Sequence, residues 1–225
     1  MHGKIQMNDP SIEHKAPPGY VIRPATLDEV EDLTRLWFMS FNSSHDFWKI
    51  TTPEDKVTTQ WFNDVWAMGI RAGPEIIATW VVEDLNQGGK AVGFSRWHVP
   101  QLDRSQEIPF PPFLKEWDPE LVDAFWGGMA CSIHWMSEFG GVDPACQRSG
   151  ILTALLIWGC DEADAAGLEN YLDATPQGRR IYLKFGFEDR EPLPMLERPD
   201  SYGTFKLTAQ VRLPKPFLAC DANKW

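Results

Sequence analysis

With 225 residues, 43% of them apolar, the chain is long enough for one sizeable core. Its formal charge of −11 argues against a nucleic-acid partner, because binding phosphate backbones relies on clustered Lys and Arg. No run reaches the roughly 18 apolar residues of a membrane helix, and the opening MHGKIQMNDPSIEHK lacks the apolar stretch of a secretory signal, so a soluble cytoplasmic protein without membrane contact is expected.

Residues 1–18 are polar, end in APPG and show no apolar period, which predicts a flexible arm, with order beginning near Tyr20. Residues 19–213 are expected to form a single domain and 214–225 a tail. The stretch YVIRPATLDEVEDLTRLWFMSF predicts a strand, a turn and a helix. Thr26 followed by Glu29 has the spacing of a capping box, and Val30, Leu33, Trp37 and Phe41 recur at helical spacing. A second helix is predicted from Thr52 and Pro53 to Gly73-Pro74, with Val57, Trp61, Val65 and Met68 as its apolar stripe. Two β-rich runs, Ile76 to Val82 and Ala91 to Val99, flank Gly88-Gly89 and predict a hairpin.

Residues 100–117 are rich in Pro and aromatics and predict an irregular, ordered wall or lid. A helix is expected from Asp118 to about Cys131, followed by a strand over HWMSEFGGV, a helix over ILTALLIWGCDEADAA stopped by Gly167, a strand over NYLDAT, a helical turn over PQGRRIYLKFGF, and a last alternating strand over TFKLTAQVR. Strands interleaved with helices and hairpins imply an α/β (α+β) architecture, a mixed sheet with helices on both faces. The cysteines Cys131, Cys146, Cys160 and Cys220 show no CxxC and no histidine at ligand spacing, so reduced structural thiols and no metal site are expected.

The most informative turn is Gln147-Arg148-Ser149-Gly150, directly before a helix. The first N–H groups of a helix lack intrahelical partners and carry the positive end of its dipole. A basic side chain, a hydroxyl and a glycine there suit an anion such as a phosphate-bearing cofactor. The alternative is an ordinary turn in which Ser149 or Gln147 caps a core helix.

Residues 134–189 resemble the cofactor-binding half of the GNAT acyltransferase superfamily, particularly its fungal type. The resemblance rests on His134-Trp135, Val142, Pro144, Gln147, Gly150, Leu155-Leu156, Trp158-Gly159, Gly167-Leu168, Tyr171-Leu172, Pro176, Tyr182 and Lys184-Phe185-Gly186-Phe187. It implies a largely antiparallel mixed sheet with a splayed fourth strand ending near Val142, whose backbone would pair with the pantetheine arm of acetyl-CoA. The segment Gln147, Arg148, Ser149, Gly150, Ile151, Leu152 and Thr153 would hold the pyrophosphate. Tyr182 matches the tyrosine that protonates the departing thiolate in many relatives.

Two positions depart from the family pattern. Leu152 stands where a small residue is usual, and either crowds the pyrophosphate or turns into the core behind the loop. Gly140-Gly141 replaces apolar residues on the fourth strand and marks a bulge or a close backbone approach.

Acyl transfer needs a neutral amine, a stabilised oxyanion and a proton for the leaving thiolate. Glu138 lies four residues before Val142, so strand alternation puts both on one face unless a bulge intervenes; it is a candidate base, substrate orienter or partner of a nearby Arg. His98 and His134 are further base candidates with structural alternatives, and Asp173 is either paired with Arg179 or Arg180 or a ligand of a substrate amine. Trp97, Phe110, Phe113, Trp117, Trp126 and Trp135 are candidate walls of an aromatic acceptor pocket, while Trp37, Trp61 and Trp66 fit helix faces in the core. The leading reading is an acetyl-CoA-dependent N-acyltransferase acting on a small amine-bearing metabolite, as a monomer or homodimer. Its rival keeps the fold, has a cofactor loop degraded by Leu152, and serves as a binding module or a CoA-independent enzyme of specialised metabolism.

Overall fold

A computed structural model describes residues 15–101, 108–126, 134–193 and 195–215. Most of the expected arm and tail, parts of the 100–117 stretch, the continuation of the fourth helix towards Cys131, and both Cys131 and Cys220 lie outside these residues.

The first strand, β1 (Tyr20–Pro24), begins where the sequence predicts. Thr26 and Glu29 then cap each other: the Thr26 N–H donates to Glu29 Oε2 at 2.6 Å, and Thr26 Oγ1 accepts from the Asp28 N–H at 3.4 Å. The box closes a short 3-10 turn that runs on into α1 (Val30–Phe41), which buries Leu33, Leu36 and Trp37.

The next segment differs from expectation. A six-residue helix, α2 (Asp46–Thr51), precedes α3 (Lys56–Ala72), and Asp55 caps the latter by accepting from Val57 N and Thr58 N at 3.0 and 2.8 Å. Thr52, the expected cap, is buried and donates its hydroxyl to Trp48 O at 2.8 Å, so it ends α2 instead of starting α3. The stripe that α3 buries runs through Trp61, Phe62, Val65 and Trp66, while Val57 is exposed.

β2 (Ile77–Asp84) and β3 (Lys90–His98) form the expected hairpin, and α4 (Pro119–Trp126) leads towards β4 (Trp135–Val142). There follow α5 (Ile151–Ala166), β5 (Asn170–Ala174), α6 (Arg179–Lys184), β6 (Glu188–Pro192) and β7 (Thr208–Arg212). The last strand is shorter than TFKLTAQVR predicts. The seven strands lie in the order β1-β2-β3-β4-β5-β7-β6, and every neighbouring pair is antiparallel except β4 with β5.

Helices cover both faces. On one, α1, α2 and α3 enclose an aromatic core that includes Trp37, Phe47, Phe62 and Trp66; on the other, α5 brings its own Trp158 against Val92, Trp97 and Trp135. The chain is rich in tryptophan because its helices rest on the sheet through large rings, each of which buries much apolar area.

Two irregularities shape the centre of the sheet. Arg96 pairs with Phe139 but Trp97 pairs with Ser137, so Glu138 is the extra residue of a bulge in β4. The parallel pairing of β4 with β5 covers only Trp135–Ser137 against Asn170–Leu172, after which the strands part.

Candidate functional site

The gap between β4 and β5 is a cleft. Its β4 wall runs from Met136 to Gly140, its β5 wall is Leu172 and Asp173 with Thr175 just past the strand, and Tyr182 of α6 and Leu207 line it too. Aromatic rings form the rest: Phe41 of α1, Trp48 of α2 and Phe125 of α4, with Trp48 centred 4.9 Å from Phe41 and 5.2 Å from Phe125.

Glu138 is buried in the β4 wall because the bulge rotates it onto the same face as Phe139, beneath the aromatic core. Arg96 Nε and His98 Nε2 approach its Oε2 at 2.6 and 2.9 Å as ion-pair contacts without aligned hydrogen-bond geometry, and Oε1 has no donor among the described residues. Arg96 is itself buried, donates to Val65 O at 2.7 Å and lies 5.6 Å from the centre of the Trp66 ring. Burial works against the charge of Glu138, but Arg96 and then His98 outweigh it and hold the carboxyl below the ordinary range. Of the roles open to Glu138 from sequence, pairing with a nearby Arg is the one the geometry displays. Arg96 was missed; its signal was an arginine two residues after buried Phe94 in a strand with little exposed surface.

Asp173 faces a different environment. Its single hydrogen bond among the described residues comes from the Tyr171 hydroxyl to Oδ1 at 2.5 Å. Arg179 is engaged by Asp189, and no described cation forms an ion pair with Asp173. Burial raises its pKa, partly offset by the Tyr171 hydrogen bond.

Tyr182 is half-buried, its ring packed over Gly178, and burial pushes the phenol up to about 12. It therefore stays a proton donor throughout the neutral range.

Near the far end of β4, beyond Val142, the Gln147–Gly150 turn is exposed apart from a partly covered Ser149. Arg148 has φ 64°, the one positive φ among described residues other than glycine, and Gly150 has φ 88°. The Ser149 hydroxyl donates to Cys146 O at 2.6 Å, so it does not cap α5, and no side chain caps that helix. The N–H groups at the start of α5 are thus left for a ligand or water. On the β5 side, β4 past Ser137 has no strand partner among the described residues, while Val142 pairs with Gly93 of β3 on the other. An uncapped helix start beside Arg148 suits a pyrophosphate, and an unpaired strand edge suits the amides of a pantetheine arm, so these residues fit acetyl-CoA.

Leu152 turns inward: it packs partly buried against the α5 core, and its Cδ1 lies 3.5 Å from where a Cβ of Gly140 would be. Leu152 and Gly140 are thus neighbours, at a separation that a Cβ at position 140 would also tolerate. A Cβ at Gly141 would come within 2.5 Å of Ser40 Oγ and 2.6 Å of the Phe94 ring, so α1 approaches the strand closely there.

The other expected pocket residues lie elsewhere. Trp97 is fully buried on the opposite face, against α5 at Gly159, because strand alternation turns it away from Arg96 and His98. Trp135 is also buried in that core. Phe110, Phe113 and Trp126 gather around Trp61 of α3 in the outer part of the aromatic core. His98 reaches the cleft only through Glu138, and His134, at the opposite end of β4, lies 3.5 Å from Glu169. The cleft walls are instead Phe41, Trp48, Phe125 and Phe139. Phe41 is foreseeable from the helical period of α1; Trp48 belongs to a helix too short to show a period. Among the described residues no group of His, Cys, Asp or Glu could hold a metal, and no helix is long and apolar enough to cross a membrane.

No protein-family model and no curated protein matches the chain. Solved structures do. A histone acetyltransferase HPA2 and related acetyltransferase from Corynebacterium glutamicum aligns at TM-score 0.58 and 19% identity, over 88% of this chain and 97% of its own. The yncA protein of Salmonella typhimurium, solved with its cofactor acetyl-CoA, aligns at TM-score 0.55 and 16% identity, over 91% and 99%. The C-terminal condensation domain of Ebony, in complex with beta-alanyl-dopamine, aligns at TM-score 0.59 and 11% identity, over 86% and 98%. The chain has the GNAT acetyltransferase fold, a mixed, largely antiparallel sheet splayed at its fourth strand.

Proposed function

We propose that the protein is an acetyl-CoA-dependent N-acyltransferase acting on a small amine, the fungal-type GNAT enzyme that residues 134–189 resemble. The observation that carries this reading is the alignment of three features along one path: the uncapped start of α5, the unpaired edge of β4, and Tyr182 in the cleft between β4 and β5. Acetyl-CoA, when bound, supplies an acetyl thioester, whose carbon–sulfur bond breaks as the amine nitrogen forms an amide bond to the acetyl carbon.

The residues of the chain hold and protonate. Arg148 and the N–H groups of Gly150 to Thr153 bind the pyrophosphate, and the free edge of β4 binds the arm. Tyr182 gives its phenolic proton to the leaving sulfur and recovers one from solvent. Glu138 stays paired with Arg96 and does not deprotonate the amine, because a carboxylate held below the ordinary range is a weak proton acceptor; the amine's proton passes to water. The Ebony condensation domain is bound to an amide of an aromatic amine, which supports an amine as acceptor on this fold.

The test is a thermal melt of the full chain in saturating acetyl-CoA and CoA. A ligand that binds only the folded state must raise the melting temperature. An upward shift with both is expected, and an unchanged melting temperature with both overturns the reading.

A further inference from the structure

The cleft carries two carboxylates in unequal states. Glu138 is paired with the Arg96 guanidinium, and His98 Nε2 lies 2.9 Å from the same oxygen. Asp173 faces the same cleft, half-buried, with one neutral donor, the Tyr171 hydroxyl. Taking a carboxylate out of water without a cation is costly, and such groups ordinarily find a partner. Arg179, the nearest arginine by sequence that could reach it, is held by Asp189 through both carboxylate oxygens.

The cleft that Asp173 lines is also ring-lined: Trp48 is in contact with both Phe41 and Phe125, and Phe139 is centred 6.5 Å from Phe41. Two buried polar atoms of residues lining the cleft, Trp48 Nε1 and Glu138 Oε1, have no partner among the described residues.

We infer that Asp173 is the binding residue for the ammonium group of the acceptor, and that the acceptor is a small primary amine with an aromatic body seated on Phe41, Trp48 and Phe125. The inference rests on the proposed acyltransferase reading for its place in the reaction, but not for the binding itself. A cation in such a site gains both the carboxylate and the ring faces, and a neutral ring gains the rings alone. An aliphatic polyamine would leave the apolar wall wet, and a carboxylate-bearing ring would meet Asp173 with like charge.

The test is calorimetric titration of the full chain with phenethylamine, 2-phenylethanol and 3-phenylpropionate, each without and with saturating CoA, and separately with acetyl-CoA alone. Phenethylamine is expected to bind saturably and at least tenfold more tightly than 2-phenylethanol, with 3-phenylpropionate the weakest. Asp173→Asn removes that preference for phenethylamine over 2-phenylethanol, whereas Tyr171→Phe keeps it. Absence of phenethylamine binding in both conditions, equal affinity for phenethylamine and 2-phenylethanol, or an unchanged preference in Asp173→Asn overturns the inference. The first two readouts use the unaltered protein and stand even if the variant fails to fold. Preferential phenethylamine binding without any acetyl-CoA binding would sink the acyltransferase reading and leave this one intact; the converse would do the reverse.

Discussion

Tyr182 and Glu138 line the same cleft and are tuned in opposite directions by their surroundings. Burial without a charged partner keeps the phenol protonated to about 12, so Tyr182→Phe should lower kcat roughly a hundredfold while acetyl-CoA affinity stays within about threefold. For the same reason the acid should impose no alkaline limb on the rate profile below about pH 11. Glu138→Gln should behave differently: it leaves Arg96 buried without its counter-charge and is expected to cost about 3–5 kcal/mol in denaturant unfolding, whatever it does to the rate. A third residue gives a pH test. Burial disfavours the charge of Glu29, but hydrogen bonds from Arg23 and Thr26 overcome it and lower its pKa from 4.5 to about 2. A depressed carboxylate stabilises the fold above its unfolded pKa and loses that contribution as pH falls. Glu29→Gln should therefore cost about 1–2 kcal/mol at neutral pH, and its difference from the parent chain should vanish between pH 4.5 and 2. Tyr182 could be picked out from the sequence because its neighbours form a recognisable run. The state of Asp173 could not, because it depends on Arg179 bonding Asp189 of another strand.

Among the elements, the Gln147–Gly150 turn and the start of α5 make the most specific claims. Arg148 holds a left-handed conformation that costs a residue with a side chain about 1–2 kcal/mol, and glycine adopts it freely. Arg148→Gly should leave the melting temperature unchanged or higher and weaken acetyl-CoA binding about tenfold by calorimetry, since it keeps the turn and removes the guanidinium. Leu152→Gly should not tighten acetyl-CoA binding, because the side chain rests on Gly140 and the α5 core; it should instead cost about 1–3 kcal/mol in unfolding. A gain in affinity would show that Leu152 obstructs the loop. Sequence pattern located α1, α5 and the β2–β3 hairpin because each carries its own period, cap or turn. It missed α2, whose six residues are fewer than two helical turns, and it started α3 too early because Thr52, a plausible cap, is occupied by Trp48 O. The short α2 matters for the site, since it delivers Trp48 to the cleft.

At the scale of the whole molecule, the sheet explains why a cleft exists at all. All seven strands join by antiparallel pairing to at least one neighbour, and the lone parallel junction, β4 with β5, is held by three residue pairs before it opens. Packed clusters on both faces, with a third of Cys160, Leu172, Ala174 and Phe187 at β5, support the strands on either side of the gap. Apart from α2, the order of strands and helices was readable from the chain. The opening was not, because it follows from where two distant strands stop pairing and from the bulge at Glu138. That opening, with Arg148 and the uncapped α5 near the far end of β4, is the basis for reading the protein as an acetyl-CoA enzyme. Isothermal titration of the full chain with acetyl-CoA tests this most directly. Saturable micromolar binding at one site, weakened in Arg148→Gly, is the predicted result. No heat of binding at high ligand concentration would contradict the account and turn the search to reactions of the ring-lined cleft that need no CoA.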